Sequence, residues 1–380
     1  MSNRKFSLLI PWFMDGAMAL IFAAVPLLAL RFGANAMLLG AIGWVPQAVR
    51  LPICFTSGHL SEKVGRAGII VPAACAVGVA AVGLANAQSI AHIMAFSILS
   101  VAAIGAFYPP LQAMVGDKSA RGELTKNLGA YNIGWCVGGA VMAMSARWLV
   151  GIGLPVTFYA AAVSAAAAAV LVAVWANHRT AAAGKVENEN TPFPEYPPYL
   201  LVISRMGNFT GFFALAIMRL LFPQLGINLG WSESDVATVV GLAIVGQGAG
   251  MIAANAGPWW RGKLWPQFTA QSIFVVCGLT VAAASSPYLI GAAAFMLGVA
   301  LSTTYTAALY HGLASRKAKG KNAGIHESLI AAGSIAGCLL GGILVDTISI
   351  RAPYVLFSAL AVICIIFTLA ITLKGRRKSL

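Results

Sequence analysis

Twelve apolar stretches of about 20 residues each follow one another along almost the whole chain, and this constrains the fold more than any other feature. A backbone placed in hydrocarbon has no water to bond, so it must satisfy its own N–H and C=O groups as helices or as a closed barrel. Barrel strands need only about ten residues and alternate in polarity, so runs twice that length without alternation predict helices. Charged residues are 9% of the chain, against about 25% in a soluble domain, which excludes a soluble enzyme. The six cysteines (Cys54, Cys75, Cys136, Cys277, Cys338 and Cys364) all fall inside apolar stretches without metal-type spacing. They read as small buried or lipid-facing side chains. The net charge of +14 sits between the apolar runs, the pattern of a membrane protein rather than a nucleic-acid binder.

The spans are expected at 7–30, 37–57, 68–86, 92–115, 128–147, 154–176, 199–222, 235–256, 264–285, 287–311, 323–345 and 351–373. Sorted by alternate loops, 19 Lys and Arg residues fall on the side of the N-terminus, and three, Arg31, Arg147 and Arg351, on the other. The positive-inside rule then places both termini in the cytoplasm of an inner or plasma membrane. The longest polar interruption separates six spans from six. This predicts an N-terminal six-helix bundle over 1–176, a cytoplasmic linker over 177–198 and a C-terminal six-helix bundle over 199–380. An internal repeat supports the division. Lys126-Asn127-Leu128-Gly129-Ala130-Tyr131-Asn132 with Gly138 is echoed 195 residues later by Lys321-Asn322-Ala323-Gly324-Ile325-His326-Glu327 with Gly333. Asp15 and Asn208 match at an offset of 193, and Tyr108 and Tyr305 near the ends of spans four and ten. Two parallel repeats of this kind imply alternating access around a midplane site.

Between spans two and three stands Gly58-His59-Leu60-Ser61-Glu62-Lys63-Val64-Gly65-Arg66. This resembles the signature loop of the major facilitator superfamily, Gly-x-Leu-[Ala/Ser]-Asp-[Arg/Lys]-x-Gly-Arg. Here Glu62 replaces the usual Asp, and Ala67 replaces a basic residue. The resemblance implies an all-α membrane protein with twelve transmembrane helices in two pseudo-symmetric six-helix bundles. It also implies that Gly58, Glu62, Lys63, Gly65 and Arg66 form a cytoplasmic gating latch. In that latch Glu62 caps a neighbouring helix, while Lys63 and Arg66 pair with acids of the next helices. Span eleven carries Gly324, Gly333, Gly337, Cys338, Gly341 and Gly342 at the spacing of the superfamily's antiporter motif, which belongs in span five. The alternative is tight helix packing without bearing on direction. Span four lacks the Arg that many relatives carry.

Ionisable groups in hydrocarbon cost about 2.5 to 3.5 kcal/mol on insertion scales, so each needs a partner, water or a task. Asp15 and Arg50 lie at matching depths, which makes a coupling pair or a structural ion pair equally open. Glu327, beside His326, is the other candidate proton or cation site, against simple stabilisation of a helix start. Asn132 stands at the repeat equivalent of Glu327. Tyr108, Gln112, Asn208 and Tyr305 come from spans that line the central cavity in the family this chain resembles, where they would hydrogen-bond a substrate. Pro109-Pro110 would bend span four and free carbonyls there.

No GxxxxGK[ST], HExxH or GxSxG occurs, so neither an ATPase nor an enzyme is expected, and no cofactor or metal. The expected function is secondary active transport of a small solute, coupled to protons. The alternatives are export of drug-like or lipid-like amphiphiles, or a non-transporting membrane chaperone that keeps the fold. Expected partners are a small molecule or ion and membrane lipid, with no nucleic acid. The resemblance implies a monomer.

Overall fold

A computed structural model describes residues 2–119, 124–177, 196–314 and 319–377. The linker expected over 177–198 lies, except for its ends, outside the described residues. Thirteen helices are present among them: α1 (Asn3–Arg31), α2 (Ala36–Val64), α3 (Arg66–Ala85), α4 (Ile90–Asp117), α5 (Leu124–Ile152), α6 (Leu154–Asn177), α7 (Pro198–Leu220), α8 (Phe222–Asn228), α9 (Glu233–Asn255), α10 (Trp265–Ala283), α11 (Pro287–Ala314), α12 (Lys319–Thr347) and α13 (Ala352–Arg377). Twelve are long and apolar enough to cross a membrane, matching the twelve expected spans. The exception, α8, has seven residues and was not expected; Gly230, with φ of 79°, turns the chain just beyond its end.

Local chemistry sets the helix limits. Gly65, at φ of 87°, separates α2 from α3 in a conformation that side chains rarely adopt. Ser89 and Ser232 accept from the backbone N–H groups of His92 and Asp235, capping α4 and α9. At the other end of helices, Lys118 donates to the carbonyls of Trp175 and Ala176 at 3.0 and 3.2 Å, a cation on the C-terminal dipole of α6.

Packing divides the chain into two units, Met1–Ala34 with Val45–Asn190, and Asn35–Trp44 with Thr191–Leu380. Helix α2 is therefore shared. In the first unit α1 packs on α4, α5 and α6; in the second α7 packs on α11, α12 and α13. The same device makes both contacts close. Gly134 and Gly138 of α5 lie against the backbone carbonyls of Leu8 and Trp12, and Gly333 and Gly337 of α12 against those of Phe209 and Phe213. A Cβ at Gly333 would sit 2.6 Å from the Phe209 oxygen, so only glycine lets the two backbones approach this far. Gly333 and Gly337 of span eleven thus have a packing role in the structure.

Within the second unit, the start of α2 lies on the end of α12. The Met37 N–H donates to Asp346 Oδ2 at 3.0 Å and the Leu38 N–H to Asn35 Oδ1 at 2.9 Å, satisfying donors that the helix start leaves open. Gly40 lies on the Cys338 carbonyl, Gly43 on the Cys338 thiol, and Cys338 is buried. Large apolar side chains of α6 and α13, such as Val163 at 71% and Ile366 at 58% exposure, point outward as lipid-facing helices must.

Candidate functional site

Helix α1 has 29 residues and Asp15 is near its middle, well inside the apolar span. The Tyr108 hydroxyl of α4 donates to Asp15 Oδ2. One turn along α4, Gln112 donates through Nε2 to the Tyr131 hydroxyl of α5 at 3.2 Å. The side chains of α1, α4 and α5 thus form two polar pairs, one turn of α4 apart, inside the first unit. Cys136, also on α5 and buried, lies within electrostatic reach of Asp15.

Arg50 is near the middle of α2 and takes no part in the pair expected with Asp15. Its Nη1 donates to Gln47 Oε1 at a long 3.4 Å, its Nε is buried without a hydrogen-bond partner, and it forms no ion pair among the described residues. The hydrogen bond recorded for the Asp15 carboxylate instead comes from Tyr108, and the Arg50 stem packs on Gly105, where a Cβ would sit 2.9 Å from Arg50 Cγ. Tyr108 nevertheless feels the charge of both groups.

Pro109 and Pro110 do not interrupt α4. Pro109 has no N–H, which frees the carbonyl four residues back, that of Gly105. Ser57 of α2 donates to it at 3.1 Å, so this freed acceptor is used in helix packing. Serine in α2 and proline in α4 are two halves of one feature, although only the proline signals it in the sequence.

In the second unit α7, α11 and α12 hold the corresponding residues. Asn208 is fully buried and neither side-chain polar atom has a hydrogen-bond partner. Tyr305 meets the His326 ring edge-on at 4.8 Å and the Phe212 ring at 6.2 Å. Both His326 nitrogens are buried without hydrogen bonds. Asn132 is exposed on α5. Glu327 belongs to α12, but its side chain lies outside the described residues.

At the loop between α2 and α3, Arg66 Nε donates to Asp117 Oδ2 at 3.0 Å and its Nη1 to the Ser61 hydroxyl at 2.7 Å. Asp117 ends α4, so this is the expected pairing of Arg66 with an acid of another helix, and the sequence did not single out that acid. Glu62 faces His59 at 3.8 Å, both exposed; Lys63 is exposed too. A Cβ added at Gly58 would lie 3.7 Å from the Pro109 ring, an ordinary contact between α2 and α4.

Sequence reading missed Gln47, Tyr131 as a hydrogen-bond partner, and a second cluster beside the start of α7. There Tyr196, Trp260, Tyr310 and His311 pack ring against ring, with centroids 5.2 to 6.3 Å apart, and the Arg261 guanidinium lies 4.8 Å from the Tyr310 ring. Burial and the hydroxyl contact with Tyr310 push the Tyr196 phenol up to about 12. The doublet Trp259-Trp260 in a short loop was the available signal.

The model of the Major Facilitator Superfamily matches residues 7–264 and 206–379. No curated protein matches the sequence. Among solved structures, a bacterial homologue of the human lysosomal transporter Spinster, inward-facing and occupied, superposes with a TM-score of 0.73 at 14% identity, covering 98% of this chain and 96% of that one. A variant of the nucleoside transporter NupG gives 0.72 at 10% identity, over 97% and 99% of the two chains. The human organic anion transporter MFSD10 (TETRAN) gives 0.66 at 14%, over 96% and 98%. These likenesses establish the fold, and with the family match over nearly the whole length they make this chain a member of the major facilitator superfamily.

Proposed function

We propose that the chain is a proton-coupled secondary active transporter of a small solute, working by alternating access, with both termini in the cytoplasm. The observation that carries this reading is the Asp15 carboxylate, placed near the middle of a membrane-spanning helix and bonded to the Tyr108 hydroxyl of another. A carboxylate at that depth is expensive unless it titrates or binds, and a hydroxyl that donates to its charged form can accept from its neutral form. The two bundles with matching internal packing supply the repeat that alternating access uses. The similar structures include a nucleoside transporter and an organic anion transporter, so the solute has to be argued from this chain's own site.

The test is proton movement. Purified protein in liposomes loaded with a pH-sensitive dye is exposed to a panel of carboxylates, amines, sugars and nucleosides. At least one solute is expected to drive acidification or alkalinisation of the lumen, and Asp15→Asn to abolish it while leaving the protein folded. Glu327→Gln is the matching variant in α12. Full proton movement in both variants rejects the assignment of these acids.

A further inference from the structure

Among the described residues of the first unit, Arg50 is a charged residue with a buried nitrogen that has no hydrogen-bond partner. It stands fourteen residues into the 29-residue α2, within an apolar span, so its guanidinium is far from either helix end. Its stem is fixed against Gly105 and its head is left with a single long hydrogen bond to Gln47. Its Nε is shut away from solvent with nothing to donate to. A buried donor without an acceptor costs about 1 to 3 kcal/mol, and more when it is charged, so a protein that keeps one in place has an acceptor that comes and goes. A guanidinium offers five donors in a planar fork that matches the two oxygens of a carboxylate. Beside it stand uncharged hydrogen-bonding groups: Gln47 on the same helix, and Tyr108 of α4, which feels the Arg50 charge.

We infer that Arg50 is the recognition residue for a small organic monoanion of the carboxylate class, held beside Asp15 so that anion and proton are taken up together. The inference rests on the proton-coupled reading above. Its logic is a charge count. With Asp15 ionised, Arg50 and Asp15 sum to zero and the site holds an anion poorly. With Asp15 protonated the site carries one positive charge, which one monoanion neutralises. A coupling of this kind is reciprocal, so the bound anion favours the proton as much as the proton favours the anion. With Arg50 as the one cation of this site among the described residues, the valence is set too, because a dianion would leave an uncompensated charge in the span.

Among the described residues, the titratable groups beside Asp15 and Arg50 are Tyr108 on α4, Cys136 on α5 and Cys54 on α2, whose sulfur approaches Gly105 beside Arg50, with Tyr131 of α5 next to Tyr108. Phenols and thiols are neutral through the acidic and neutral range. Helix α6, which packs on α1, has no charged residue between Leu154 and Asn177. Asp15 is left as the group whose charge changes.

The experiment uses the full chain in detergent and in liposomes, with lactate, benzoate and pyruvate as probes, choline and uridine as cationic and neutral controls, and pH 5.5 against pH 8. Monocarboxylates are expected to raise thermal stability and to bind about tenfold more tightly at the lower pH. Arg50→Gln is expected to lose this binding, and Arg50→Lys to keep part of it, having charge without the fork. Asp15→Asn is expected to bind the anion with a flat pH profile, a separation that a purely structural role for either residue does not produce. If no monocarboxylate stabilises the parent more than it stabilises Arg50→Gln, or if Asp15→Asn keeps the full pH dependence, the assignment is overturned. If choline or uridine instead moves with protons and Asp15→Asn blocks it, the anion assignment falls while proton-coupled transport stands.

Discussion

The proposed mechanism rests on a carboxylate, a phenol and a guanidinium within one unit, and the hydrogen bond between the first two is the most direct to test. Hydrogen bonds to charged groups contribute about 1.5 to 3 kcal/mol. Asp15→Asn and Tyr108→Phe should therefore be non-additive, the double variant losing less thermal stability than the two single losses combined. Additive losses would place the two side chains out of contact. Tyr196 makes a different prediction, because it precedes α7 and lies outside the spans. Its folded value, about 12, is above the ordinary 10, so the stabilisation linked to its proton is intact below pH 10 and is lost as pH rises through 12. In an ultraviolet titration the absorbance gained near pH 12 should fall by one tyrosine's worth in Tyr196→Phe; a titration in that range unchanged by the substitution would contradict it. The sequence made Asp15, Arg50 and Tyr108 legible as candidates because polar residues stand out in apolar runs. Which of them touch was not legible, since matching depth on two helices says nothing of rotation about their axes. Depth alone paired Asp15 with Arg50, whereas the structure bonds Asp15 to Tyr108.

Among the helices, glycine has two opposite roles. At Gly337 an added Cβ would meet the Phe213 backbone, which cannot swing aside, whereas at Gly129 of α5 nothing lies within 4 Å. Gly337→Ala should lower the melting temperature in detergent, with overpacking costing about 1 to 3 kcal/mol. Gly129→Ala should raise stability by about 0.5 to 1 kcal/mol, because alanine loses less backbone entropy in a helix. Equal effects of the two substitutions would remove the packing explanation. The twelve spans were readable because apolar length is a one-dimensional signal. The seven-residue α8 was not, being too short to carry a period and lying, but for Phe222, in the stretch expected to connect spans seven and eight. Nor was the acid that pairs with Arg66, since Asp117 lies 51 residues away and nothing in the spacing links them.

For the molecule as a whole, the lopsided distribution of Lys and Arg is a statement about sidedness. A fluorescent protein fused after Leu380 should mature and fluoresce in a bacterial host, which requires a cytoplasmic C-terminus; a dark fusion made in normal amount would invert the topology. The contact of α2 with α12 has a practical consequence of its own. The Cys338 thiol is sealed under Gly43, and lifting the start of α2 away would uncover it. The native chain therefore carries its own reporter. In a variant whose other five cysteines are serine, the rate of maleimide attachment to Cys338 becomes a clock for how often these two helices part, and a transported solute that speeds or slows the clock declares which arrangement it prefers.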